Sequence, residues 1–152
     1  MTCELSTGLR NGMLNATGMK EALTNGVLYI YSGTQPASPD SAVSGTLLMI
    51  ITKASGAFSF GTATNGLNLG APAGGVVAKD TDVWSGVGIA AGTAGWFRLM
   101  GNATDSLGAS TTLPRMDGSV GTAGSDLNLV STTIAIGTPV TIDTFQYTLP
   151  AS

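Results

Sequence analysis

The chain opens with apolar residues at near-helical spacing: Leu5, Leu9, Met13, Leu14, Met19, Ala22 and Leu23 recur between Glu4 and Leu23. This spacing predicts one or two helical pieces, with Thr2 or Ser6 as N-cap and Asn25-Gly26 as a left-handed stop. Gly8, Gly12 and Gly18 fall inside the stretch, each costing about 1 kcal/mol relative to Ala, so packing has to hold these helices.

From Gly26 the texture changes. Short runs of β-branched and aromatic residues are separated by clusters of Gly, Pro, Asn, Asp and Ser, which predicts a many-stranded antiparallel fold. Strands are expected over 27–31, 46–53, 57–60, around Val76-Val77, and over 82–89, 96–100, 127–136 and 140–149, with Asn65-Gly66 and Asp117-Gly118 as tight turns. In Trp96-Phe97-Arg98-Leu99-Met100, alternation sets Trp96, Arg98 and Met100 on one face and Phe97 and Leu99 on the other. One of these faces is expected to be core. Seven to nine strands argue a mainly β domain, an antiparallel and jelly-roll-like β-sandwich over 26–152, preceded by a short helical arm over 1–25.

Composition adds a constraint that the pattern does not show. Only 10% of the 152 residues are charged, against about 25% in an ordinary soluble domain, while Gly, Ala, Thr and Ser together make about half of the chain. The net charge is −3 and the six cations, Arg10, Lys20, Lys53, Lys79, Arg98 and Arg115, form no basic run, so no nucleic-acid partner is expected. No apolar run is long enough to suggest a membrane partner, and the first ten residues lack the basic, unbroken apolar character of a secretion signal. Synthesis in the cytoplasm is expected. A β-rich protein ordinarily protects its edges with charge; scarcity of charge predicts that much of this surface is covered by other copies or by a scaffold.

Catalytic chemistry finds little to work with. Histidine is absent, which removes imidazole-based catalysis and most zinc sites. A Ser-Lys dyad would have to use Lys20, Lys53 or Lys79, none in a nucleophile context. Cys3 reads as a small apolar residue, having no second Cys to bridge. Asp80, Asp82, Asp105, Asp117, Asp126 and Asp143 mostly adjoin turn residues and read as solvated loop carboxylates. Asp80 and Asp82 have the spacing of some calcium loops without the glycine and glutamate of an EF-hand, and Gly86, Gly88 and Gly92 miss the dinucleotide spacing. No catalytic residue, metal or cofactor is therefore expected.

Four ordered segments carry a resemblance: 22–37 (ALTNGVLYIYSGTQPA), Gly45-Thr46-Leu47-Leu48, 91–99 (AGTAGWFRL) and Asp117-Gly118-Ser119-Val120-Gly121-Thr122. Together the chain resembles a family of small virion proteins of tailed bacteriophages, departing from it at Met100-Gly101, where a Tyr-Asp-like continuation is expected. The resemblance implies a structural, non-enzymatic protein without a cofactor, a capsid decoration or cement protein on the outer surface of the phage head. Its implied partners are the major capsid protein and copies of itself, in a homo-oligomer for which a three-fold cluster is the expectation. Two alternatives remain open at this point. A tail or tail-tip component binding a receptor or glycan would use exposed Trp84 or Trp96 as stacking platforms, although both also suit a core. A carbohydrate-cleaving tail enzyme would need two carboxylates facing one groove.

Overall fold

Strand β2 (Val27–Ser32) alternates two sets of side chains, and each finds a different layer. Leu28 and Ile30 enter the main hydrophobic core, whereas Tyr29 and Tyr31 point to the opposite face of the sheet. β2 pairs antiparallel with β3 (Leu47–Lys53) on one side and β6 (Gly92–Met100) on the other; β7 (Arg115–Gly121) lies beyond β6. The computed structural model describes residues 3–151.

The fold is mainly β, 37% strand and 8% helix, with antiparallel sheets and two short helices. Strand β1 (Glu4–Leu5) opens the chain, and β5 (Trp84–Val87) and β10 (Pro139–Ile142) extend the sheet beyond β3 to give the order β1-β7-β6-β2-β3-β5-β10. Short strands β8 (Leu127–Asn128) and β9 (Thr133–Ile134) attach to β7 and β6, the β7–β8 pairing being parallel. A separate two-stranded sheet joins β4 (Val76–Ala78) to β11 (Gln146–Thr148). One long path plus one separate two-stranded pair therefore stands where two sandwich sheets were expected. The sandwich expectation holds at the level of a mainly antiparallel β fold.

The core gathers side chains from this path, from the helices and from Val77 of the separate β4–β11 pair. Phe145 joins β5 to β6 within it, its ring 5.5 Å from Trp84 and 5.7 Å from Phe97. Leu9, Met19 and Leu23 are buried in the same cluster. The helices α1 (Thr7–Leu14) and α2 (Met19–Ala22) thus share the core of the β domain, and β1 is paired to β7, so residues 3–25 are built into the same body. Of the one or two helical pieces expected from Glu4 to Leu23, two form, and Glu4–Leu5 is instead a strand.

Ser6 caps α1, accepting from the Leu9 N–H at 3.0 Å, and Asn25 does adopt the left-handed conformation, φ 52°. Gly8 is required by close approach, since a Cβ there would overlap the Thr112 backbone, whereas Gly12 has room.

Four local expectations are corrected. Ala57–Phe60 is irregular, held by the edge-on contact of Phe58 and Phe60 and by the Asn65 side-chain amide donating to the Ala57 carbonyl; Asn65-Gly66 consequently closes no hairpin. The expected strand 140–149 breaks after Ile142, and β10 and β11 pair with different strands. Asp117-Gly118 lies in the middle of β7 and not at a turn, because Asp117 has a cross-strand partner and Gly118 sits beneath the Phe97 ring, 2.6 Å from where its Cβ would be.

Candidate interaction surface

The outer face of the sheet divides into an ionic half and an uncharged half. Register places Asp117, Arg98, Tyr29 and Ile50 in one row across β7, β6, β2 and β3. Over β6 and β7 the row is ionic and buried. Arg98 donates through Nε (2.7 Å) and Nη2 (2.8 Å) to the two carboxylate oxygens of Asp117, with both side chains fully inaccessible. Two residues along, Arg115 makes the same forked contact with Asp105. The planar guanidinium matches a carboxylate in this way, which lets both charges leave water with most hydrogen bonds retained.

The remaining guanidinium N–H groups hold a cover. Arg98 Nη1 donates to the Ser41 carbonyl and Arg115 Nη1 to the Pro39 carbonyl, each at 3.1 Å. Between them, the Asp40 carboxylate accepts from the Thr7 N–H at 2.8 Å and from the Thr7 hydroxyl, placing a negative charge at the start of α1. Residues 39–41 therefore form a clasp joining the sheet to the first helix. Beneath it Trp96 stacks on Tyr31 with centroids 4.5 Å apart, and the Arg98 guanidinium lies 5.6 Å from the Trp96 ring centre.

The expected solvated carboxylates are thus corrected at Asp105 and Asp117, both buried in ion pairs. Burial pushes the Asp117 carboxyl above its ordinary value, against the opposing pull of Arg98. The cations that look scattered in sequence include two that converge here. No sequence motif announces them; the alternation of 96–100 set Arg98 on a strand face, but Asp117 read as part of a turn.

Other expected chemistry does not assemble. Lys53 pairs with Asp82 at 2.9 Å, and Lys79 donates to the Asp80 and Asp82 carbonyls, so the Asp80–Asp82 turn is organised by lysines. Among the described residues no His, Cys, Asp and Glu group is arranged to hold a metal ion, and no helix is long and apolar enough to cross a membrane. Gly86 and Gly88 admit the Ile50 and Ala135 carbonyls to close approach, a strand-packing use of glycine. Desolvation raises the Cys3 thiol to about 12, with Asp126 and Asp117 adding to the effect. Trp84 and Trp96 are 1% and 0% exposed, so neither is a stacking platform for a glycan. Asp126 and Asp143 do line one open cavity of about 500 Å³, but Asp126 is engaged by the Ser119 N–H and hydroxyl.

What the surface offers instead is apolar. Past Tyr29 the outer face of β3 and β5 is uncharged and partly covered by residues 54–58: Ile50, Thr52, Phe58, Val87 and Ile89 line a groove of about 290 Å³ in which no charged residue takes part, with Thr52 itself buried. Val87 and Ile89 are 42% and 52% exposed. Elsewhere Leu14, Val130 and Ile136 stand well into solvent, and a second apolar groove lies between Met13, Met19, Val77, Tyr147 and Leu149. No family model, curated protein or solved structure matches the chain.

Proposed function

We propose that the chain is a structural virion protein, a capsid decoration (cement) protein that binds the outer surface of a bacteriophage head after synthesis in the host cytoplasm and stabilises it through buried area rather than chemistry. The observation that carries the reading is the disposition of charge. The sequence has only fifteen charged residues, and Arg98, Arg115, Asp105 and Asp117 are spent inside the fold, leaving eleven for an exterior otherwise made of neutral and apolar side chains. Such a surface orders at low side-chain entropy and suits close packing against the major capsid protein and neighbouring copies. The resemblance of 22–37, 91–99 and 117–122 to small phage virion proteins agrees with it. The clasp supports it too, because a protein that resists pressure gains from tying its terminal segment to its central sheet.

The test is copy number. Quantitative mass spectrometry of purified particles is expected to find hundreds of copies, together with co-sedimentation of the purified chain with emptied heads. A handful of copies would move the protein to the tail, and absence from particles would remove the reading altogether.

A further inference from the structure

Strand β11 has one edge occupied and one open. The Lys79 N–H donates to the Phe145 carbonyl and the Leu149 N–H to the Gly75 carbonyl, so residues 145, 147 and 149 turn their backbone groups toward β4. Gln146 and Thr148 therefore turn their N–H and C=O groups the other way, where they have no backbone partner among the described residues, and both residues are exposed. Two other edges are guarded. The far side of β4 is taken by Gly70 and Ala73, and β10 opens with Pro139. Gln146-Tyr147-Thr148 has neither charge nor proline to guard it.

A groove follows this open edge. Consecutive residues 145–148 line a cavity of about 310 Å³, whereas a cavity over one face of a strand would meet alternate residues. It adjoins the open cavity of about 500 Å³ at Asp126, Phe145 and Gln146, which line both. Asp143 lines the second, and no Lys or Arg lines either. Ser119 holds Oδ2 of Asp126, leaving Oδ1 without a partner among the described residues, and Asp143 is exposed. We propose that the edge of β11 receives an extended segment of a different protein as an added strand, with a Lys or Arg of that segment reaching Asp126 and Asp143. The outward backbone groups select an extended chain, and the two carboxylates select a cation within it. A second copy has no such segment to offer. Arg98 and Arg115 are buried in ion pairs, Lys53 is held by Asp82, Lys79 by the Asp80 and Asp82 carbonyls, and Arg10 and Lys20 lie on helices. The inference holds whether or not the partner belongs to a phage head.

The probe is a random heptapeptide library displayed on yeast and selected on the full chain. Enriched peptides are expected to place β-branched residues around one Lys or Arg, and a synthetic peptide of that consensus should bind in fluorescence anisotropy. Methylating its backbone nitrogens at alternate positions should abolish binding in one register and spare it in the other, because an added strand turns a single edge to β11. Asp143→Asn should weaken binding about fivefold, the worth of an exposed ion pair. Thr148→Pro removes an outward N–H while keeping the bonds to β4, and should weaken it about tenfold. If Thr148→Pro fails to fold by circular dichroism, the methylated peptides carry the test, since they need no variant. Selection without a cationic consensus overturns the inference, as does binding that methylation affects alike in both registers or that Asp143→Asn leaves unchanged. A cationic strand consensus for a chain absent from particles would keep this inference and sink the decoration reading.

Discussion

Arg98 and Asp117 face each other across β6 and β7 and are joined by two hydrogen bonds at 2.7 and 2.8 Å with no exposure of either side chain. Taking two charges out of water is costly, and the fork geometry offsets this only while both partners are present. Arg98→Met is therefore expected to lose about 3–5 kcal/mol, by stranding a buried carboxylate. Arg98→Met combined with Asp117→Leu should recover most of it. Urea denaturation of the two singles and the double measures the coupling; a loss in the double equal to the sum of the two single losses would mean that the side chains act independently.

Asp117 also sets a pH dependence with a definite sign. Its carboxyl is raised above 3.8, so between that value and the folded pKa the folded chain holds a proton that the unfolded chain has released. Stability from this group rises as pH falls through the window. The wild-type protein is expected to gain stability relative to Asp117→Asn between pH 7 and about 4, read from urea midpoints. A relative loss over that range would show that Arg98 holds the carboxyl low.

At the alkaline end the sign is the same. Burial raises the Cys3 thiol from 9.0 to about 12, and raises Tyr29, Tyr31 and Tyr147 above 10.0. As pH climbs past the unfolded values, the unfolded chain releases protons that the folded chain retains, so stability drains away with rising pH. The melting temperature should fall between pH 8 and about 11, and Cys3→Ser should flatten the first part of the fall. The thiol should also react slowly with a disulfide reagent at pH 8 until urea opens the fold.

The N-terminal segment is expected to be indispensable for folding. Leu9 and Leu23 are buried in the common core, and burying one such side chain is worth about 1.5–3 kcal/mol. Deleting residues 1–23 should therefore abolish the cooperative thermal transition instead of releasing an intact β domain. Asp40→Ala tests the clasp more gently: losing the capping contact to Thr7 should cost about 1 kcal/mol. A truncated chain that still melts cooperatively would restore a separable arm.

How much of this was legible depended on what each signal measures. β2 and β3 were read almost to the residue, because an unbroken run such as Val27–Tyr31 between turn residues has few other uses. The burial of Trp84 and Trp96 agreed with the core reading that their strand positions suggested. The clasp was not legible. Its contacts join residues 57 and 76 positions apart, and a carboxylate beside glycine looks the same whether its partner is water or a guanidinium. Asp117-Gly118 misled for that reason: the turn preference of Asp-Gly is local, and two long-range contacts outweighed it. The groove was invisible because Tyr29, Ile50 and Val87 come together only through pairing register.

Gly118 gives a sharp check on that last correction. A Cβ at this position would lie 2.6 Å from Cε1 and 2.7 Å from Cζ of the Phe97 ring, inside contact distance, and Phe97 is held in turn by Phe145. Gly118→Ala is expected to cost about 1–3 kcal/mol by overpacking the strand pair. Phe97→Leu removes the ring, so in its background the same substitution should cost little, and the difference is a coupling free energy measurable by urea denaturation. Were Asp117-Gly118 at an exposed turn, alanine there would be tolerated in both backgrounds and no coupling to Phe97 would appear.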